Sequence, residues 1–298
     1  MCGIGGVFCF KGEKLTENDA ERIIILSILL ERRGKTAFGF FNGEKVVKFP
    51  GRATDVIEEI SKITPFENLI VGKKMFLVHT RYPTSGDPLI NANNHPFETK
   101  NFILAHNGYL WKYGYLNDDK YKIDKKRKIK ELKKDDEDDE IDEIETDSYQ
   151  IILRLEREYA KDNDPINALK RVMEEIYNDG VYALWVYAKK NDLLMLYRDF
   201  NPLYIAYDED KLWFASENDM LKGIGLKKIE SVDMGYIYAY TRDKKTPQKV
   251  KATEVRVKIN TAWDKEINYK SKHKRKYDYD FDDDDWRYWN GYSWHYLP

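Results

Sequence analysis

A chain of 298 residues with 42% hydrophobic content can bury one generous core or two modest ones, which excludes disorder as the default state. Its 50 basic residues nearly balance 52 acidic ones, so no overall field favours nucleic acid or an anionic membrane, and neither is expected as a partner. Two cysteines, Cys2 and Cys9, are too few and too close to the start for a disulfide framework, and they point to a reducing, cytoplasmic address.

Residues 2–10 read as a strand. Thr16 with Asp19 three positions on has the pattern of a capping box, opening a helix that Gly34 can close. Within that helix the apolar run Ile23 to Leu30 is far shorter than the roughly 20 residues that cross a bilayer. Charged residues flank it on both sides, so it reads as a core helix, with neither signal peptide nor anchor. Short β-rich runs follow at Phe38 to Phe41, Met75 to Thr80 and Phe102 to Ala105, the last two leading into polar loops.

From Asn117 to Glu145 a lysine cluster gives way to an acidic cluster with almost no apolar content, which predicts a solvated insertion at about 117–146. A helix is predicted from Ser148 to Tyr159, and a second opens with Asp164 as cap and Pro165 in the first turn, ending near Tyr177. Val181 to Ala188, Leu193 to Tyr197, Leu203 to Tyr207, Lys211 to Ala215 and Tyr236 to Tyr240 then resemble the strands of an antiparallel meander. Helices between two groups of strands, without regular βαβ alternation, predict an α+β protein of two stacked antiparallel sheets flanked by helices. After a main domain at 2–260, the remainder, 261–298, reads as an irregular extension carrying Lys270 to Lys276, Asp282 to Asp285 and the aromatics Trp286, Tyr288, Trp289, Tyr292, Trp294 and Tyr296. Aromatics at this density are expected to pack on the domain or on a partner.

The opening Met-Cys-Gly-Ile-Gly-Gly places a small residue second, which permits removal of Met1 and gives Cys2 a free α-amine. A thiol of ordinary pKa about 8.5 and an amine of about 7.7 to 8.0 are matched well enough for one residue to supply nucleophile and base. Taken alone, Cys2 could equally be a small apolar residue at a strand start. His79-Thr80-Arg81-Tyr82-Pro83-Thr84-Ser85-Gly86 ends a hydrophobic strand and leaves Arg81 where a guanidinium could grip a carboxylate or make a surface salt bridge. Leu104-Ala105-His106-Asn107-Gly108 also leaves a strand, and Asn107 with Gly108 offers either two donors for an oxyanion or an ordinary turn. His79 and His106 are expected to make structural hydrogen bonds. No His or Cys spacing suggests a metal site, and no cofactor is expected.

The opening Cys2-Gly3-Ile4, the Arg81 segment and the Asn107-Gly108 segment, in this order and spacing, resemble the class II glutamine amidotransferases. Arg33-Gly34 with Gly39, His95-Pro96-Phe97, Asp147, Arg198-Asp199 to Pro202-Leu203, and Phe214-Ala215-Ser216-Glu217 extend the likeness to about Tyr240. The wording around Arg81 and His106 is most similar to the glutaminase domain of the amidophosphoribosyltransferases. The resemblance implies an N-terminal nucleophile hydrolase with a four-layer α/β/β/α sandwich. It makes Cys2 nucleophile and base, Asn107 and Gly108 the oxyanion hole, and Arg81 the clamp for the α-carboxylate of glutamine. Asp147, or Glu145 if the insertion shifts the alignment, would meet the α-ammonium, while Tyr82, Thr84, Ser85 and His95 would line the pocket or support the clamp.

Nothing after Tyr240 resembles the synthase domain that consumes the ammonia in most of that family. Three readings follow. The first is a glutaminase that delivers ammonia to a separate acceptor synthase, the second a stand-alone hydrolase of γ-glutamyl compounds, and the third an inactive interaction module that keeps the fold.

Overall fold

β1 (Gly3–Cys9) is buried along its whole length, and its two sets of side chains enter different cores. Val7 and Cys9 join one, Ile4 and Phe8 another, as the two-residue period of a strand requires. The computed structural model describes residues 1–110, 146–177 and 179–253, together with the backbone of 287–289 and 294–296. The charged stretch expected at 117–145 and most of the expected extension lie outside the described residues. The chain divides into a unit Met1–Val255 and a unit Arg256–Pro298.

In the first unit β1 is central to a seven-stranded sheet with β2 (Ala37–Phe41), β3 (Val46–Pro50), β4 (Met75–Arg81), β9 (Tyr204–Asp208), β10 (Lys211–Ala215) and β11 (Glu230–Ser231). Its order is β11-β9-β10-β1-β4-β2-β3, antiparallel throughout, with Gly3 opposite Thr80 and Gly5 opposite Ala215. A six-stranded sheet holds β5 (Phe97–Glu98), β6 (Phe102–Leu110), β7 (Gly180–Ala188), β8 (Leu193–Arg198), β12 (Tyr236–Tyr240) and β13 (Gln248–Lys251) in the order β13-β12-β8-β7-β6-β5.

Helices α1 (Glu17–Leu30), α2 (Ala53–Ser61) and α5 (Asn218–Gly223) share a core with the outer face of the first sheet. Helices α3 (Asp147–Asp162) and α4 (Pro165–Glu175) share one with the outer face of the second. A third core, with Ile4, Phe8, Leu77, Ile103, Trp185 and Phe214, joins the two sheets. This is the predicted α/β/β/α stack. The capping box of α1 forms as predicted, and Asp164 caps α4 by accepting from Ile166 N at 2.9 Å and Asn167 N at 3.1 Å. No helix among the described residues is long and apolar enough to cross a membrane.

Two expectations need correction, and one helix was not predicted. The five strands read as one meander are divided between the sheets: β8 belongs to the second, β9 and β10 to the first, and the chain crosses at residues 199–203. Both β8 and β10 bury both faces, so their composition carries no mark of which sheet they join. Gly34 does not close α1, which ends at Leu30; it lets another backbone approach, since a Cβ there would lie 2.3 Å from the carbonyl carbon of Arg81. Helix α2 was not foreseen, being short and burying only Ala53 and Val56 fully. In the second unit, β14 (Arg287–Trp289) and β15 (Trp294–Tyr296) pair antiparallel with Tyr288 opposite His295. Alternating aromatics favour extended backbone.

Candidate active site

Strand parity assembles the site from both sheets. Arg81 and His79 share the inward parity of Met75 and Leu77 on β4, and Cys2 shares that of Ile4 and Phe8. On β6, Asn107 shares the inward parity of Ile103 and Ala105. His106 has the helix-facing parity of Phe102 and Leu104, and its Nδ1 lies 2.9 Å from Ser148 Oγ at the start of α3. His79 Nε2 is 3.2 Å from the carbonyl oxygen of His106, a contact that ties β4 of one sheet to β6 of the other.

Every residue predicted for the site except Asn107 borders one narrow pocket, about 10 Å³ in volume. Cys2, Arg81, Tyr82, Thr84, Ser85, His95, Gly108 and Asp147 meet there, with His106, Thr146 and Ser148 as further walls. Glu145, the alternative to Asp147, lies outside the described residues.

Cys2 sits against the backbone of the segment after β4. Tyr82 N–H donates to Sγ at 3.4 Å, and the thiol lies 3.4 Å from Tyr82 O. Burial raises the thiol pKa, opposed by the Tyr82 N–H, the neighbouring α-amine and the Arg81 guanidinium. Cys9, set deep in the first sheet, is pushed up to about 12, chiefly by burial. The Cys2 carbonyl accepts from Arg33 Nε at 2.9 Å, and Arg33 also pairs with Glu217. Met1 is 46% exposed, and burial lowers the pKa of its α-amine.

The Arg81 guanidinium donates to Asn94 Oδ1 at 2.8 Å, to Gly86 O at 2.9 Å and to Ser85 O, tying the segment from Tyr82 to Asn94 to the end of β4. Asp147 accepts from Leu110 N at 2.8 Å and from Ser148 N at 2.9 Å, which fixes its carboxylate between β6 and α3. His95 stacks on His79 with ring centroids 4.0 Å apart, and neither of its ring nitrogens has a hydrogen-bond partner. Its pKa is held well below the usual value, chiefly by burial.

Asn107 and Gly108 do not leave the strand as the Asn-Gly signal suggested. β6 continues to Leu110, with Asn107 opposite Ala183 and Gly108 opposite Tyr182. Gly108 takes φ 148°, and a Cβ there would lie 1.7 Å from Val181 O, so only glycine fits. Both polar atoms of the fully buried Asn107 side chain lack a partner, as does Thr146 Oγ1 at the start of α3. Buried polar atoms are almost always paired, so each of these calls for an explanation. Sequence reasoning missed Thr146, Ser148 and the contacts of Arg33; Thr146 would have been taken for a helix cap, yet its side chain caps nothing.

Behind Gly108, Asp199 Oδ1 accepts from Tyr182 N at 2.6 Å. Burial pushes its carboxyl up to about 7, against about 3.9 in an unfolded chain. The folded protein therefore holds this proton more tightly than the unfolded chain does, so the group favours folding most below about pH 4 and least above about pH 7. Asp199→Asn keeps the acceptor for Tyr182 and removes that dependence. Chemical denaturation should find the variant more stable at pH 8 by on the order of 2 kcal/mol and level with the parent near pH 4. A variant whose stability still falls from pH 4 to 7 as the parent's does would contradict this.

A family description of a glutamine amidotransferase domain matches residues 145–223. The amidophosphoribosyltransferase of Methanocaldococcus jannaschii is 29% identical over 248 residues, covering 80% of this chain and 46% of that protein. The 7-cyano-7-deazaguanine synthase of Sulfolobus acidocaldarius is 25% identical over 244 residues, covering 78% and 46%. The chain thus spans about half the length of these curated relatives. The glutamine phosphoribosylpyrophosphate amidotransferase of B. subtilis, solved with ADP and GMP, shares the fold with a TM-score of 0.58 at 18% identity, over 85% of this chain and 49% of that one. The order of its motifs and its two-sheet architecture agree with these matches: residues 145–223 match a glutamine amidotransferase domain, and most of the chain is similar to glutamine-dependent transferases and shares the fold of a class II glutamine amidotransferase.

Proposed function

We propose that this chain hydrolyses the side-chain amide of glutamine through a thioester on Cys2, after removal of Met1, and passes the ammonia to an acceptor synthase. The observation that carries the reading is the meeting of Cys2, Arg81, Gly108 and Asp147, from four separate stretches of sequence, around one pocket. Each answers a different part of free glutamine: a nucleophile for the amide carbon, a guanidinium for the α-carboxylate, a backbone N–H for the oxyanion and a carboxylate for the α-ammonium.

In the proposed sequence of steps, the freed α-amine of Cys2 takes the thiol proton and Sγ attacks the amide carbon. The oxyanion is met by Asn107 Nδ2 and Gly108 N–H. The amine returns the proton to the leaving nitrogen, ammonia departs, and water attacks the thioester to release glutamate and regenerate the thiol. A pocket of about 10 Å³ holds no more than about one water. Glutamine therefore enters only when the segment from Tyr82 to Asn94 gives way, with the substrate carboxylate replacing the carbonyls of Ser85 and Gly86 on Arg81. Tyr82, Thr84, Ser85 and His95 would then close around the bound amino acid.

The glutaminase domain would occupy residues 2–260, with the charged insertion at about 117–146 and the extension 261–298 available to a partner, in a cytoplasmic setting. Support for an acceptor comes from the matched relatives, whose names describe transfer or synthesis.

The test is covalent labelling with a glutamine analogue carrying an electrophilic ketone in place of the amide, followed by peptide mapping. The expected result is one adduct on a peptide that begins at Cys2, suppressed by excess glutamine. Label on another residue, or a labelled peptide that retains Met1, would overturn the mechanism.

A further inference from the structure

Asn201 lies in the segment that carries the chain from β8 of the second sheet to β9 of the first, and it is 6% exposed. Its Nδ2 donates to the carbonyl oxygen of Asn107 at 2.8 Å, across 94 residues of sequence. That oxygen belongs to the peptide unit whose nitrogen is Gly108 N. A trans peptide is planar, with its C=O and N–H pointing in opposite directions, so fixing the oxygen fixes where the N–H points.

The need for such a hold is local. Gly108 sits at φ 148°, outside the range that keeps an ordinary strand peptide in place. The Asn107 side chain has no partner of its own to anchor the residue. Asp199 and Asn201 restrain the two sides of this point together: Asp199 N donates to Tyr182 O at 3.0 Å and Asp199 Oδ1 accepts from Tyr182 N, and Tyr182 is the residue opposite Gly108. A hydrogen bond to a peptide oxygen also polarises the unit and strengthens its N–H as a donor.

We propose that Asn201 is a positioning residue, which aims the Gly108 N–H at the oxyanion by holding the other end of the same peptide. The proposal rests on the glutaminase reading above and adds to it a residue outside the pocket wall.

The experiment compares Asn201→Ala and Asn201→Asp with the parent in glutamate release and in alkylation by iodoacetamide. Alkylation needs the Cys2 thiolate and no oxyanion, and peptide mapping counts only the adduct on Cys2, which is 8% exposed against 1% for Cys9. Loss of an oxyanion donor outright costs about 10² to 10³ in kcat, so misaiming one should lower kcat by about 10- to 100-fold with KM within about threefold. Aspartate keeps the volume but cannot donate, so that variant should lose at least as much, and it serves if the alanine variant fails to fold. Alkylation should stay within about twofold of the parent. Unchanged kcat in both variants overturns the positioning role alone, as does an equal fall in kcat and alkylation, which would mark a merely structural contact. A parent protein that alkylates yet releases no glutamate overturns the glutaminase reading itself, and this proposal with it.

Discussion

Alanine in place of Cys2 should abolish glutamate release, lowering kcat by at least about 10⁴-fold, the order expected when the attacking atom of the proposed covalent mechanism is deleted. Alanine is also small enough to permit loss of Met1, so the variant keeps the free amine and isolates the part played by sulfur. The fold should survive. Sγ makes only 3.4 Å contacts with the backbone of Tyr82, so stability should move by about 1 kcal/mol or less. Glutamate release and urea denaturation measured on the same preparation check both halves, and turnover within tenfold of the parent would mean that another atom attacks.

Asn107→Ala should move activity and stability in opposite directions. The side-chain amide is fully buried with neither polar atom paired, and each such group costs about 1 to 3 kcal/mol of desolvation. Removing it takes that cost away and leaves a small void, so the variant should unfold about 1 kcal/mol later than the parent. Loss of the same amide from the proposed oxyanion hole should lower kcat by about 10² to 10³, with a much smaller effect on KM. An ordinary core asparagine would give destabilisation with little change in turnover, and that pattern would remove Asn107 from the mechanism. Such a trade is the mark of a group kept unsatisfied for the sake of a transition state.

How much of this could be read from residues alone depended on how local the determinant was. The α1 capping box needs only Thr16 and Asp19, and it was legible. The placement of two helices between strand groups gave the layer architecture, because each element must bury its apolar face against something. The motifs around Cys2, Arg81 and Asn107 named most of the pocket wall. The allocation of β8 and β10 to different sheets was not legible, because strands buried on both faces look alike wherever they pair. Asn107-Gly108 was misread for a related reason: the local signal says turn, and only the opposing strand at Val181 and Tyr182 makes an unusual strand geometry the outcome. Asn201 was invisible as a functional candidate, since its partner is 94 residues away and the contact is to main chain, which leaves no mark on the partner's identity.

The thiol and the guanidinium ride on one sheet, while Asn107 and Gly108 ride on the other. Their separation is therefore set by the thickness of the hydrocarbon slab between, formed by Ile4, Phe8, Leu77, Trp185 and their neighbours. Face-to-face sheets lie about 10 Å apart, and a displacement of a tenth of that ruins alignment for attack. These greasy interior side chains, remote from any substrate, act as the spacer that keeps the enzyme in tune.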